Sequence, residues 1–314
     1  MSAAPTSPSN NYWQEMGERW NRFWFTPSDP LPLCVLRLGV GACLVLYLLL
    51  ITPDVAVWMG AQGLIPRELY QQMVIGADQI NRFAFWSVFS LCQSDAQVRA
   101  LHFGMLAVAV LFTAGVFTRV TSVLAFLALL QYIHRAPIIT SQIEPLLSML
   151  LLYLCLGPCG AALSFDAWRR KPAAREMALQ PTWTATVSLR LIQVHLAMFY
   201  VMMAAAKLQG DIWWRGEAIW TLMSMTRSRL IDWSFLRNWG YALNLWAHVH
   251  ILYEFLFAGL IWNRFTRPIM LWAGLVLWPL MLLASGMVIF CLLMIIANLA
   301  FVPAHLWRSR LVRD

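Results

Sequence analysis

The chain has 314 residues, of which 60% are apolar and only 12% are charged, and its mean hydropathy is +0.62. A water-soluble domain cannot cover this much apolar surface with so few polar groups, and the same composition excludes intrinsic disorder. The net charge of +8 does not indicate nucleic acid, because most basic residues stand in short loops between apolar runs, where they meet anionic lipid headgroups. The composition therefore predicts an integral membrane protein whose main partner is the lipid bilayer.

Apolar runs of about 20 residues, the length that crosses a bilayer, occur eight times in the chain. Each is expected to be an α-helix, because a backbone in lipid must satisfy its own hydrogen bonds. The sequence thus predicts an all-α fold with about eight transmembrane helices. They are placed at residues 33–51, 99–117, 120–136, 145–163, 186–207, 243–262, 268–285 and 287–304. Because only Ser285 and Gly286 separate the last two, one broken element is the alternative for that pair.

Three further stretches, which are more polar than the spans, carry aromatic side chains. Such side chains favour the level of the lipid headgroups. In residues 11–25, aromatic and charged residues recur at helical spacing, which predicts an amphipathic helix lying on the membrane. Residues 54–95 and 208–240 are expected to form interfacial or re-entrant helices. The predicted domains are an N-terminal interfacial segment (1–32), a transmembrane domain (33–306) and a short basic tail (307–314).

Lysine and arginine residues are unevenly distributed between the two sides that eight spans define. The side with both termini carries twelve of them, and the other side carries seven, mostly in its two long segments. In membrane proteins the cytoplasmic loops carry the excess of positive charge. We therefore expect both termini in the cytoplasm and the two long aromatic segments outside.

Ionisable groups inside a span are the best indicators of function, since inserting one costs about 2.5–3.5 kcal/mol. In the fifth span, Gln193, Tyr200 and Lys207 follow one another at seven-residue steps and form a single polar stripe. Ala197 and Ala204 lie between them and allow a neighbouring helix to approach closely. Lys207 either extends to the headgroups or faces an internal cavity, where lost hydration favours the neutral amine and makes it a usable general base.

In the sixth span, His250 and Glu254 stand four residues apart and hence on one face. They form either a buried pair that satisfies its own polarity or a proton relay in the wall of the cavity. Two candidate ligands alone do not make a metal site. Arg37 and Arg190, in the first and fifth spans, are each expected to pair with a bound anion or a carboxylate. The candidate carboxylates are those of Asp54, Glu144, Asp166, Asp211 and Glu254.

The sequence contains no GxSxG, P-loop, HExxH or dinucleotide-binding motif, so hydrolase, nucleotide-binding and zinc-protease functions have no support. One longer pattern, in contrast, resembles a known family. It comprises residues 189–193, Tyr200, residues 206–210 (Ala-Lys-Leu-Gln-Gly), residues 213–216 (Trp-Trp-Arg-Gly) and Ala218. This pattern is similar to the central motif of the HTTM (horizontally transferred transmembrane) domain, the membrane part of vitamin K-dependent gamma-carboxylases and their bacterial relatives. Further similarities are found at residues 25–27, 36–39, 163–166, 254, 261–264 and 267–268, so that the resemblance extends over about residues 12–305.

The resemblance implies a membrane-embedded reaction of a reduced quinone. In the carboxylases, a lysine of this motif acts as the base on vitamin K hydroquinone, which reacts with oxygen and then removes a γ-proton from a glutamate side chain, to which carbon dioxide adds. Lys207 holds that position here. The resemblance thus implies a vitamin K-like hydroquinone as cofactor, a peptide or protein as substrate, and the bacterial cytoplasmic membrane as location. The residues expected to line a cavity with Lys207 are Gln193, Tyr200, His250, Glu254, Arg37, Arg190 and Trp213.

One departure from the carboxylases leaves a second function open. Full carboxylases carry a large non-cytoplasmic domain after the membrane part, whereas this sequence ends about ten residues past its last predicted span. A shared fold does not establish a shared reaction. The alternative is a non-catalytic membrane scaffold, such as a maturation, immunity or partner-binding protein, which would tolerate changes at Lys207. A transporter has less support, because no inverted repeat is evident.

Overall fold

The computed structural model describes residues 8–60, 86–225 and 230–311, together with residues 63, 64, 66 and 72. Over these residues the chain is helical, and its sole extended pairing is an isolated antiparallel bridge between Ser28 and Thr182. The described α-helices are α1 (Pro8–Phe25), α2 (Leu31–Ile51), α3 (Val55–Met59), α4 (Asp95–Ala114), α5 (Thr118–Arg135), α6 (Ile143–Leu156), α7 (Phe165–Arg169), α8 (Pro172–Ala178), α9 (Trp183–Leu208), α10 (Asp211–Trp214), α11 (Ala218–Ser224), α12 (Gly240–Leu260), α13 (Arg267–Ser285), α14 (Val288–Asn298) and α15 (Ala304–Leu311). The all-α expectation is confirmed for this part of the chain.

A helix occupies each of the eight positions at which the sequence predicts a span. Among the described residues, four helical stretches are long and apolar enough to cross a membrane: Leu31–Met59, Asp95–Ala114, Trp183–Leu208 and Arg267–Ser285. Two others, Ile143–Leu156 and Val288–Phe301, are apolar but shorter. The protein therefore has several helices compatible with a membrane location, and the count of eight spans stays a prediction.

Local sequence signals explain where several of these helices begin. Ser94, Ser164 and Thr182 stand directly before α4, α7 and α9, and each hydroxyl accepts a hydrogen bond from a backbone N–H in the first turn of its helix. These bonds satisfy donors that have no partner inside the helix. The start of α9 is thereby fixed, and with it the position along the bundle of every polar side chain that this helix carries.

The last two long helices form a hairpin rather than one broken helix. Gly286 ends α13 in the left-handed conformation, with φ at +69°, which glycine adopts without a steric penalty. The rings of Trp278 and Phe290 meet across the hairpin at 5.8 Å. Further from the turn, a Cβ atom added to Gly274 would lie 2.9 Å from Nδ2 of Asn298 and 2.4 Å from the hydroxyl of Tyr253. Gly274 therefore lets α12 and α14 approach α13 closely.

Helices α9 and α12 run antiparallel and form the centre of the polar part of the fold. As residue number falls along α9 from Lys207 to Tyr200, it rises along α12 from Glu254 to Phe257. The rings of Tyr200 and Phe257 are stacked at 4.0 Å. The hairpin of α13 and α14 packs against this pair through Trp278, which is buried.

The stretches predicted to lie on the membrane surface differ in how far they are described. Residues 11–25 are helical as expected, within α1, and Trp13 and Trp20 are exposed there. Residues 208–240 contain the short helices α10 and α11 and a 3-10 turn at Ser234–Leu236. Most of the helices predicted within 54–95 fall outside the described residues. Their location at the membrane surface stays a prediction.

The N-terminus of α5 is capped by a side chain from a different helix. The Asp166 carboxylate, in α7, accepts hydrogen bonds from the backbone N–H groups of Phe117 and Thr118 at 2.9 and 2.7 Å, and from the Thr118 hydroxyl at 2.7 Å. Burial raises the pKa of Asp166, but these hydrogen bonds outweigh it and hold the pKa below its ordinary value of 3.8. The charged form thus ties α7 to the turn between α4 and α5.

We predict that Asp166→Ala lowers the free energy of unfolding by about 1 kcal/mol, the usual loss for a helix cap. Because the folded-state pKa is lowered, the stabilisation is present above pH 3.8 and disappears as the pH falls through the folded value. Thermal unfolding in detergent micelles, repeated over a pH series, measures both effects. Asp211→Ala is the control, since its ion pair with Arg215 is solvent-exposed and contributes little. An equal loss in both variants would contradict the cap.

Candidate functional site

The amine of Lys207 points into the helix bundle and pairs with a buried carboxylate. Lys207 lies next to the last residue of α9, and its Nζ atom donates a hydrogen bond to Oε1 of Glu254 in α12. The Glu254 side chain is fully buried and that of Lys207 is 17% exposed. A carboxylate at this depth requires a cationic partner, so the pair fixes α9 against α12. Of the two orientations open to Lys207, the structure has the inward one, with the amine on a buried carboxylate, and a cavity beside it stays a prediction.

His250 completes a group of three ionisable side chains. Its Nε2 atom lies 3.4 Å from Oε1 of Glu254, one helical turn away, and its imidazole is buried. Among the described residues, neither ring nitrogen of His250 nor Oε2 of Glu254 has a hydrogen-bond partner. Leaving such atoms unpaired in the interior costs free energy. The group therefore has hydrogen-bonding capacity that the surrounding protein does not use.

Aromatic rings form the walls around these three side chains. The ring of Trp213, in α10, lies 5.2 Å from Nζ of Lys207, a distance typical of a cation–π contact. On the other side, Trp278 meets the His250 imidazole edge to face at 5.2 Å. Low polarity on both sides weakens competition from water and strengthens electrostatic interactions within the group.

A second polar network, centred on Tyr200, is completely satisfied. The Tyr200 hydroxyl accepts a hydrogen bond from Nε1 of Trp278 at 2.8 Å and donates one to Oδ1 of Asn298 at 3.0 Å. The hydroxyl of Tyr253 lies 3.4 Å away. Because its hydrogen bonds are already used within the protein, Tyr200 holds Trp278 in place against His250 rather than offering a free group to a ligand. Tyr200 is thus a positioning residue for the group.

The residues predicted to form a polar stripe on α9 do lie on one face of the helix, but they belong to two separate places along it. The Gln193 side chain donates to the carbonyl of Ala300 at 2.7 Å and accepts from Nη1 of Arg190 at 2.9 Å. Fourteen residues separate Gln193 from Lys207, which is about 21 Å along a helix. Gln193 and Arg190 therefore belong to the opposite end of α9, and the expectation that they share a cavity with Lys207 is corrected.

Arg37 also lies away from Lys207, and neither it nor Arg190 has the expected carboxylate partner. Arg37 is fully buried, and its Nη2 atom donates to the carbonyl of Leu163. Within the described residues, no carboxylate oxygen lies within ion-pair distance of either arginine. Most candidate acids are engaged elsewhere: Glu144 with Tyr47 and Ser141, Asp166 with Thr118, Asp211 with Arg215 and Glu254 with Lys207. The expected ion pair with a carboxylate is thus not formed by either arginine among the described residues, although Asp166 is near enough to attract Arg37 electrostatically, and a bound anion remains the other expectation.

Three residues of this region are absent from the sequence-based list of site residues. They are Tyr253, Trp278 and Asn298, which connect Tyr200 to His250. Asn298 is a polar residue within the last apolar run, and that signal points to it. Trp278 offers no such signal, because the sequence does not distinguish a tryptophan at a site from one that faces lipid or packs in the core.

Comparisons with protein-family models, with curated proteins and with solved structures find no match for this chain. The assignment to a class therefore depends on the geometry described above and on the resemblance of its motifs.

We predict that breaking the pair from one side is worse than removing both charges. Glu254→Gln leaves the Lys207 ammonium without its anion in an apolar setting, whereas Lys207→Met with Glu254→Gln leaves no charge to satisfy. The double-mutant cycle should give a coupling of about 0.5–3 kcal/mol. Denaturation of the purified protein in detergent micelles measures it, and additive single losses would show that the two side chains act independently.

Proposed function

We propose that this chain is an integral membrane protein of the HTTM type, with eight transmembrane helices and both termini in the cytoplasm of a bacterial cell. We further propose that it is a quinol-dependent, carboxylase-like modification enzyme in which Lys207 is the base. The single observation that carries this proposal is the buried group of Lys207, Glu254 and His250, walled by aromatic rings. Ionisable residues at membrane depth are costly and mark functional sites.

The Lys207–Glu254 pair is suited to making a base in an apolar site. Transfer of one proton from Nζ of Lys207 to Oε1 of Glu254 converts two charges into a neutral amine and a neutral carboxylic acid. Low-polarity surroundings reduce the free-energy difference between these two forms, because they disfavour the charged one. The neutral amine then has a lone pair that accepts a proton from a hydroxyl group of a bound molecule.

His250 gives the proton on Glu254 a further destination. Its Nε2 atom lies 3.4 Å from Oε1 of Glu254, which a small side-chain rotation brings within hydrogen-bond distance. A neutral imidazole accepts a proton at one nitrogen and can release another from the second nitrogen. The order of transfer in this proposal is thus from Lys207 to Glu254 to His250, which regenerates the charged carboxylate.

The residues present fit a reduced quinone by their donor and acceptor chemistry. Oε2 of Glu254 and both ring nitrogens of His250 are buried atoms without a hydrogen-bond partner among the described residues, and they match the hydroxyl groups of a quinol in donor and acceptor type. The rings of Trp213 and Trp278 beside them are apolar, as an aromatic headgroup requires. When bound, a vitamin K-like hydroquinone supplies an acidic phenolic hydroxyl and two electrons for dioxygen. Lys207 and its neighbours would hold the hydroxyl end, and an apolar pocket would keep water from the reacting atoms.

The chain contains only two lysines, Lys207 and Lys171, which gives a matched test. The full-length protein, reconstituted in lipid nanodiscs, is supplied with vitamin K hydroquinone, dioxygen, labelled bicarbonate and a glutamate-containing peptide. We predict that Lys207→Met reduces quinol oxidation to the background without enzyme, while Lys171→Met, at an exposed position, leaves it unchanged. Membrane abundance and gel-filtration behaviour of both variants establish folding.

Two results would contradict the proposal. One is quinol oxidation by the Lys207→Met variant at the rate of the unaltered protein, and the other is no oxidation by the unaltered protein. Label entering the peptide would support carboxylation itself, whereas oxidation without label would support a quinol-dependent enzyme of different substrate class.

A non-catalytic partner-binding protein on the same scaffold is the second candidate. It is favoured by exposed aromatic residues that lie beyond α9, since exposed apolar patches mark interaction surfaces. Trp214, Trp239 and Tyr241 are exposed there by 59%, 63% and 97%. This candidate requires that Lys207→Met be tolerated and that Trp239→Ala abolish function, which is the reverse of the pattern expected for the enzyme.

A further inference from the structure

A basic cavity of about 430 Å³ opens at the end of the bundle opposite Lys207. The residues that form it come from the ends of five long helices: the start of α2, the start of α9, the end of α12, the start of α13 and the segment after α14. Helix α1 closes one side with Phe23 and Arg22. The cavity is therefore at the level of helix ends, where a bundle of this composition meets lipid headgroups.

Three arginines line the cavity, and none of them is paired with a carboxylate among the described residues. Arg22 is exposed, and Arg190 stands with its guanidinium 4.5 Å from the ring centre of Phe23. Arg267 lies near enough to Arg190 to repel it electrostatically. Within the described residues, none of the three has a carboxylate oxygen at ion-pair distance. Like charges held this close favour an anion between them.

Asp29, the carboxylate that lines the cavity among the described residues, does not compensate these charges. Oδ1 of Asp29 accepts a hydrogen bond from the backbone N–H of Leu31 at 2.9 Å, and Oδ2 accepts from Nε of Arg308 at 2.6 Å. Both oxygens are thus engaged, and the positive charge of Arg308 balances the charge of Asp29. The cavity retains a net positive charge that comes from Arg22, Arg190 and Arg267.

The guanidinium groups of Arg190 and Arg267 are held in place before any ligand arrives. Arg190 donates to Oε1 of Gln193 at 2.9 Å. Arg267 donates from Nε and Nη2 to the carbonyls of Ile261 and Trp262 at 3.2 and 3.3 Å. A planar fork that is already ordered loses less conformational entropy on binding an anion than a free lysine or arginine does.

An apolar and aromatic wall lines the cavity beside the arginines. Trp262 meets Phe23 at 6.0 Å and Phe301 at 5.5 Å between ring centres, and Val302 and Pro303 also line the cavity. A cavity that has both a guanidinium cluster and aromatic rings matches a molecule that joins a phosphate to an apolar tail. A small hydrophilic anion uses only the first of these two features.

We propose that this cavity binds the phosphate group of an anionic phospholipid, with Arg22, Arg190 and Arg267 around the phosphate and the aromatic wall against the start of the acyl chains. The site is separate from the Lys207 group, and its occupancy does not depend on the reaction proposed there. A free phosphate ion shares the charged part of this chemistry, and the experiment separates the two sources.

The test measures thermal unfolding and native mass spectra of the full-length protein in dodecylmaltoside, with phosphatidylglycerol, phosphatidylcholine or inorganic phosphate added in equal molar excess. Phosphatidylglycerol should raise the midpoint and remain bound, whereas phosphatidylcholine should not. Arg22→Gln and Arg267→Gln should each weaken retention about tenfold, the usual effect of losing a charge-assisted contact. Arg169→Gln is the matched control, because Arg169 is exposed at the same end of the bundle and does not line the cavity.

The outcomes separate a bound lipid from a free phosphate ion and from the absence of a site. An equal shift with inorganic phosphate, with the same response to Arg22→Gln, would keep the phosphate site but overturn the lipid as its occupant. No selective retention of phosphatidylglycerol, or an equal loss in Arg169→Gln, would overturn the site. The Arg22→Gln variant separates lipid binding from folding, because the exposed side chain of Arg22 makes no other contact that the structure describes. Quinol oxidation by Arg22→Gln, measured in the same preparations, should equal that of the unaltered protein.

Discussion

The ion pair between Lys207 and Glu254 is the contact on which the alignment of α9 with α12 depends. Two charges removed from water are tolerated only when each faces the other, since either one alone would be uncompensated in an apolar setting. The pair therefore sets the relative height of α9 and α12. Once these two helices are aligned, Tyr200 comes to lie between Tyr253 and Phe257, and the hairpin of α13 and α14 is seated by the hydrogen bond from Trp278.

The contrast between two neighbouring polar networks indicates where chemistry can occur. The Tyr200 network has its donors and acceptors matched by Trp278 and Asn298, as stable buried networks generally have. The group of Glu254 and His250, only one ring away, keeps three polar atoms without a partner among the described residues. Unpaired buried polar atoms are rare in folded proteins and call for an explanation, and a bound molecule of the kind proposed above would supply their partners.

The sequence predicted well the features that depend on one helix at a time. Apolar runs gave the helix positions, because burial of the backbone in lipid or in a helix core requires long stretches without charge. The cost of inserting a charge identified Lys207, His250 and Glu254. The four-residue spacing also paired His250 with Glu254, and the expected cavity grouped both with Lys207. The direct ion pair between Lys207 and Glu254 was not predicted, since periodicity within a helix defines a face but not the face that it meets.

The errors have the same physical origin. The seven-residue spacing placed Gln193 on the face of Lys207 correctly, but angular agreement says nothing about the distance of about 21 Å along the axis. Arg190 and Arg37 were each expected to pair with a carboxylate or a bound anion, yet Arg37 donates to the carbonyl of Leu163 and Arg190 to the amide oxygen of Gln193. A backbone carbonyl between two helices and a side-chain amide oxygen are acceptors that no pattern of charged residues reveals.

The distance between Arg190 and Lys207 along α9 determines how far apart the two proposed sites lie. Seventeen residues of α9 separate them, or about 26 Å along the axis, which approaches the thickness of a hydrocarbon core of about 30 Å. In the proposed orientation, a phosphate bound by Arg190 would lie at the cytoplasmic surface and Lys207 near the opposite one. The Lys207 group would then open toward the exposed aromatic segments beyond α9, the side on which an exported peptide is available.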